Sequence, residues 1–175
     1  NIVLDSSTCS VFLKHEGMRI AFGGIGKGYA ADRGKKLLTD LGVKSGVVNA
    51  SGDLTVWGEQ SDGKPWTIGI ADPNTKIPFS SIPLREMAIA TSGNYEKFVI
   101  INGKRYSHTI DPKTGLPVTG IKSVSIISPM PELSDSLATP VMIMGLKSGN
   151  DMINQMKGVA CIVIDDNNRM FTSNN

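Results

Sequence analysis

Residues 23–32 read GGIGKGYAAD: two adjacent glycines, a third after Ile25, Lys27, a fourth glycine, and then helical text. Glycine at this density costs backbone entropy on folding, so bare backbone here answers to something that approaches it closely. Ala30, Gly34, Leu37, Leu38 and Leu41 recur at helical spacing over 29–41, and Gly42 stands where a helix C-terminus favours glycine. Upstream, IVL, VFLKH and, after the turn at Glu16 and Gly17, MRIAF read as hairpin strands within residues 1–22. The glycine loop therefore joins a strand to a helix.

Downstream the text turns β-rich. SGVVNA, DLTVWG and WTIGIAD are short strand candidates separated by Gly, Asp and Pro, and an apolar strand ends in Thr91, Ser92 and Gly93. YEKFVII and KRYSHTI flank Asn102 and Gly103, the strongest short hairpin signal. After the strand KSVSIIS, ELSDSLATPVMIMG reads as a helix that Pro140 should bend unless it lies near the first turn. Met152, Ile153 and Met156 suit another short helix, and GVACIVID and RMFTS close the chain as strands around the turn DNN. With no repeat and no long linker, 175 residues read as one α+β domain.

Composition excludes more than it selects. A net charge of +2, from 18 basic and 16 acidic residues without a basic run, gives no nucleic-acid footprint. No segment reaches the about 18 apolar residues of a membrane span. Cys9 and Cys161, in apolar contexts and without CxxC spacing, are expected to be buried structural thiols. The chain begins with Asn1, which is read as a processed or truncated start, so the missing leader says nothing about compartment.

Several stretches could carry chemistry. GGIGKG fits neither the dinucleotide fingerprint nor the Walker loop, because its spacing is G-x-G-x-G and Gly28 follows Lys27. Its physics remains: a bare loop opening a helix offers unpaired N–H groups and a positive dipole end, and Lys27 adds a charge for phosphate. A tight turn with a solvated lysine is the alternative. In NASGDL, Asn49 and Asp53 either cap the turn or line a cleft, and Thr91 and Ser92 suit either a loop or a ligand. His108 reads as a strand residue followed by the turn DPKTG. No G-x-S-x-G elbow supports serine hydrolysis. Asp135 and Thr139, at i and i+4, share a helix face and could reach one hard cation, or could be a capped surface turn. No His/Cys cluster supports zinc.

The order of these stretches is more specific than any one of them. GGIGKGYAADRG, VVNASGDL, IGIADP, ATSGNYEKF, YSHTIDPKTGLP and SDSLATPVMIMG follow one another over about residues 20–146 as in the ApbE family, which the chain resembles. These are the FAD:protein FMN transferases, formerly described as thiamine-biosynthesis lipoproteins. The resemblance implies a T-fold-related α+β domain of antiparallel sheet with a few helices. It implies Mg2+-dependent cleavage of FAD, release of AMP, and transfer of FMN to a Thr or Ser hydroxyl of an acceptor protein, often a subunit of a membrane redox complex.

By resemblance, Gly24 (through its carbonyl), Asp135 and Thr139 hold the metal, and Lys27 binds the FAD phosphates. His108, Thr109 and Ile110 face the flavin nucleotide, with Thr91 and Ser92 beside them. His108 is the candidate to take the hydroxyl proton. By the same resemblance the family motif D-L-G-G carries an Asp near the nucleotide, and Phe22 in IAFGG is read as standing in its place, a departure at the cofactor-binding site. The resemblance also implies a longer, exported and often lipid-anchored protein of the cell envelope, with an N-terminal part that contributes to the FAD pocket. An FAD pyrophosphatase and a non-catalytic flavin- or metal-binding module are the alternatives.

Overall fold

The computed structural model describes residues 1–71, 78–95 and 97–174. Asp72 and Pro73 of the IGIADP motif and Glu96 lie outside them. The chain forms an α+β fold built on a six-stranded antiparallel sheet. In chain order the elements are β1 (Ile2–Asp5), β2 (Ser10–Leu13), α1 (Gly26–Asp40), β3 (Gly46–Ala50), β4 (Asp53–Trp57), β5 (Trp66–Ala71) and β6 (Pro78–Leu84). There follow β7 (Ala88–Gly93), β8 (Phe98–Ile101), β9 (Lys104–Ser107), β10 (Ile121–Ser128), α2 (Pro131–Ile153), β11 (Ala160–Asp165) and β12 (Met170–Thr172). The main sheet runs β12-β11-β10-β7-β4-β3, and β1-β2, β5-β6 and β8-β9 form separate hairpins.

Two apolar layers sandwich the sheet. Val124, Ile126, Cys161 and Val163 pack against Ala138, Val141 and Met142 of α2, while Val56, Ile89 and Ile127 pack against Leu84, Trp66 and Ile68 of the β5-β6 hairpin. Cover on both faces buries β10 along nearly its whole length, Ser123, Ser125 and Ser128 together with Ile121, Val124, Ile126 and Ile127.

Several expectations need correction. MRIAF forms no strand; residues 18–22 run irregularly into α1. The buried face of α1 is Gly28 and Ala31, whereas Ala30, Leu37 and Leu41 are exposed. The two downstream helices form as read and follow one another within α2 across a break at Gly145 (φ 81°, ψ 169°), whereas Pro140 lies inside the first without ending it. Cys161 is buried but Cys9 is exposed, in the β1-β2 turn. β6 was not anticipated, because Pro78 and Pro83 disfavour a strand reading. The Asn102–Gly103 turn forms as expected, with both residues at positive φ.

Gly28 shows what comes close to the glycine loop. A Cβ there would collide with the Pro131 carbonyl and lie 2.8 Å from the Asp135 Cβ, whereas one on Gly23 or Gly24 would meet nothing within 4 Å. Gly28 thus lets α2 cross the start of α1, and Gly23 and Gly24 leave open backbone beside the crossing. Gly28→Ala is expected to lose about 3 kcal/mol of stability, the upper end for overpacking. Gly24→Ala should denature within about 0.5 kcal/mol of the parent, as surface substitutions do. Chemical denaturation of both variants checks the contrast.

Candidate functional site

The site lies where the first turn of α1, the first half of α2 and the end of β7 meet. The Gly28 N–H donates to Asp135 Oδ2 at 2.9 Å, a buried bond across 107 residues of chain. It satisfies one of the unpaired amides that every helix start carries, and its charged acceptor sits at the positive end of the α1 dipole. One turn further along α2, Thr139 Oγ1 lies 3.0 Å from Ser92 Oγ of β7. Thr91 Oγ1 in turn pairs with Ser125 Oγ of β10 at 2.8 Å.

Thr91, Ser92, Asp135 and Thr139 line a polar cleft of about 120 Å³ with Gly23, Lys27, Gly93, Lys97, His108 and Thr109. Sequence separations of up to 116 residues, from Gly23 to Thr139, are closed by the fold. A second cavity of about 250 Å³ shares Thr91 with it and extends along β3, β4 and β5 past Asn49, Leu54 and Ile68.

His108 lies one residue beyond β9, exposed, and not within a strand. Its Nδ1 is 2.9 Å from the Lys97 carbonyl. A carbonyl only accepts, so Nδ1 carries a proton, and in the neutral ring the lone pair is then on Nε2, the tautomer a general base needs. The turn after it is held by Asp111, whose Oδ1 accepts the Lys113 N–H and whose backbone carbonyl accepts the Gly115 N–H.

Lys27, Thr91, Ser92, His108, Thr109, Asp135 and Thr139 thus come together. Gly24, Ile110 and Phe22 do not line the cleft. Gly24 is next to Gly23, which does, and Ile110 bridges to Pro117 at the base of the turn. Phe22, 71% exposed, lines a separate apolar depression with Ile25, Gly26, Tyr29 and Glu132. Counted back from Gly23 and Gly24, a D-L-G-G motif places its Leu at Phe22 and its Asp at Ala21, so Ala21 occupies the carboxylate position.

Asp53, which the sequence left between a turn cap and a cleft residue, is the first residue of β4. It is 1% exposed, its Oδ1 accepts the Thr91 N–H at 3.4 Å, and its Oδ2 lies 3.1 Å from Lys27 Nζ. NASGDL carried the signal: Ser51 and Gly52 take positive φ, Asn49 Oδ1 accepts the Gly52 N–H at 2.8 Å, and this turn aims Asp53 beneath α1.

The donor set fits a hard cation. Carboxylate and hydroxyl oxygens of Asp135, Thr139 and Ser92, beside the open backbone of Gly23 and Gly24, are ligands of the Mg2+ type, which uses few protein oxygens and completes its shell with water and phosphate. Among the described residues no three His, Cys, Asp or Glu side chains cluster.

The sequence model of the ApbE family matches residues 1–163. The chain belongs to the ApbE family. It is similar to the FAD:protein FMN transferase of Klebsiella pneumoniae (strain 342), with 31% identity over 98% of this chain and 54% of that protein. Similarity to the FAD:protein FMN transferase of Rhodobacter capsulatus is 34%, over 89% of this chain and 30% of that protein. Among solved structures, the ApbE protein of Thermotoga maritima superposes with a TM-score of 0.90 at 32% identity, covering 99% of this chain and 57% of that one. The apo flavinyl transferase ApbE of Pseudomonas stutzeri superposes at 0.80 and 29%, covering 98% and 53%. The chain spans about half the length of the curated transferases of Klebsiella and Treponema pallidum that it matches.

Burial pushes the Asp53 carboxyl up from 3.8 to about 6; Lys27 pulls it down and Asp135 pushes it further up. The folded state therefore binds this proton more tightly than the unfolded chain. Its favourable contribution to stability is complete below pH 3.8 and is lost as pH rises to about 6. Urea denaturation between pH 4 and 7 is expected to show this slope in the parent and to show it flattened in Asp53→Asn.

Proposed function

We propose that this chain carries the catalytic core of a Mg2+-dependent FAD:protein FMN transferase, which moves FMN from FAD to a Thr or Ser hydroxyl of an acceptor protein and releases AMP. The observation that supports it best is the polar cleft that joins Lys27, Asp135, Thr139 and His108 at the start of α1. A cleft of about 120 Å³ matches a diphosphate with its cation and is too small for a whole dinucleotide, while the adjoining 250 Å³ cavity offers room for part of a nucleotide.

Asp135, Thr139 and the backbone around Gly24 would hold the cation, which when bound supplies charge neutralisation at the phosphate oxygens. Lys27 would bind and orient the pyrophosphate and stabilise charge that develops as the bond breaks. Thr91, Ser92 and Thr109 offer hydroxyls to phosphate or ribose oxygens. His108, held in its Nδ1–H tautomer by the Lys97 carbonyl, takes the acceptor hydroxyl's proton at Nε2 as that oxygen attacks the phosphorus of the FMN half. Positioning and electrostatics carry such transfers, and a rigid site on α1, α2 and β7 suits that demand. Acceptors among membrane redox subunits and a place in the cell envelope follow the family resemblance. No helix among the described residues is long and apolar enough to cross a membrane.

The test is AMP release from FAD with Mg2+ or EDTA, with and without an acceptor carrying a Thr or Ser target. Release that requires Mg2+ and acceptor is expected. Mg2+-dependent release without acceptor indicates the pyrophosphatase, and flavin binding without AMP indicates a binding module. Asp135→Asn, which keeps an acceptor for the Gly28 amide, should abolish Mg2+-dependent turnover while preserving the melting transition. His108→Ala should slow turnover by about 10²-fold, the lower range for loss of a general base, with FAD affinity little changed. Unaltered turnover in both variants would refute the assigned site.

A further inference from the structure

We infer that Asp53 is the positioning residue for Lys27: from beneath the cleft it fixes one face of the ammonium, so that the remaining N–H donors point at the bound phosphates. This rests on Lys27 being the phosphate-binding cation.

The geometry is specific. Lys27 is 38% exposed in side chain and lines the cleft, whereas Asp53 is 1% exposed and does not reach it. The carboxylate is built into the sheet, following the NASG turn and accepting the Thr91 amide of the neighbouring strand through Oδ1. Oδ2 is buried and lies in ion-pair contact with Lys27 Nζ at 3.1 Å. An amide side chain here could accept the Thr91 N–H equally well. The charge on Oδ2, costly to bury, therefore acts on Lys27. An ammonium has three donors on a flexible stem, so one directed at a fixed anion limits where the other two point. A lysine–carboxylate pair that presets a phosphate-binding lysine has a counterpart in the lysine–glutamate pair of protein kinases.

The experiment uses the full chain and the variants Asp53→Asn, Lys27→Met and the double variant, each checked by its thermal transition. Acetylation of Lys27 by acetic anhydride is followed by peptide mass spectrometry, with Lys97 in the same cleft as the internal control. In Asp53→Asn, Lys27 should be acetylated about threefold faster, the scale of a lost, partly exposed ion pair, with Lys97 unchanged. Equal Lys27 rates overturn the inference. In AMP release, Asp53→Asn should lower kcat about tenfold with KM for FAD moved by less than about twofold, and should add nothing in the Lys27→Met background. Additive losses would mean that Asp53 acts independently of Lys27 and would also overturn it. Should Lys27→Met leave FAD affinity and turnover intact, the phosphate reading of Lys27 fails, and the acetylation rates still decide whether Asp53 holds it.

Discussion

The bond from the Gly28 amide to Asp135 is the contact on which the rest of the site depends. It joins the start of α1 to the first half of α2, and it exists only because position 28 lacks a Cβ. The same carboxylate caps a helix and lines the cleft, so one side chain serves both the packing and the chemistry. Two helices crossing at bare backbone leave the neighbouring Gly23 and Gly24 with open space in front of them. The glycine density thus answers two demands: close helix approach at 28, and access for a ligand at 23 and 24.

Charge is arranged around that crossing in layers. Lys27 and Lys97 border the cleft, Asp135 lies in its wall, and Asp53 is sealed behind Lys27. A diphosphate with a divalent cation brings charges of both signs, and such a site can accept both with little rearrangement. Phe22, Leu37 and Leu41, together with Leu4 and Phe12 of the β1-β2 hairpin, are exposed apolar side chains away from this polar centre. The relatives named above extend well beyond the length matched here.

What the sequence made legible was local chemistry. Asn102 and Gly103 announce their hairpin because few other pairs tolerate two positive φ values. Asp135 and Thr139 were assigned to one helix face from spacing alone, and both line the cleft. The face of α1 was misjudged because Leu37 and Leu41 are apolar yet exposed, while the packing is made by Gly28 and Ala31, whose small side chains carry little periodic signal. The break at Gly145 was legible, since the helical text ELSDSLATPVMIMG ends on that glycine, while Pro140 is carried inside the helix. Asp53 stayed ambiguous for a different reason: its partners, Lys27 and Thr91, are 26 and 38 residues away, and no local pattern encodes such a meeting.

The most direct test of the central claim is a crystal structure of this chain with FAD and Mn2+, locating the cation by its anomalous scattering. The account predicts one strong peak within ligand distance of an Asp135 carboxylate oxygen and Thr139 Oγ1, with phosphate oxygens between it and Lys27. A cation bound elsewhere, or FAD phosphates seated away from Lys27 and the glycine loop, would contradict it.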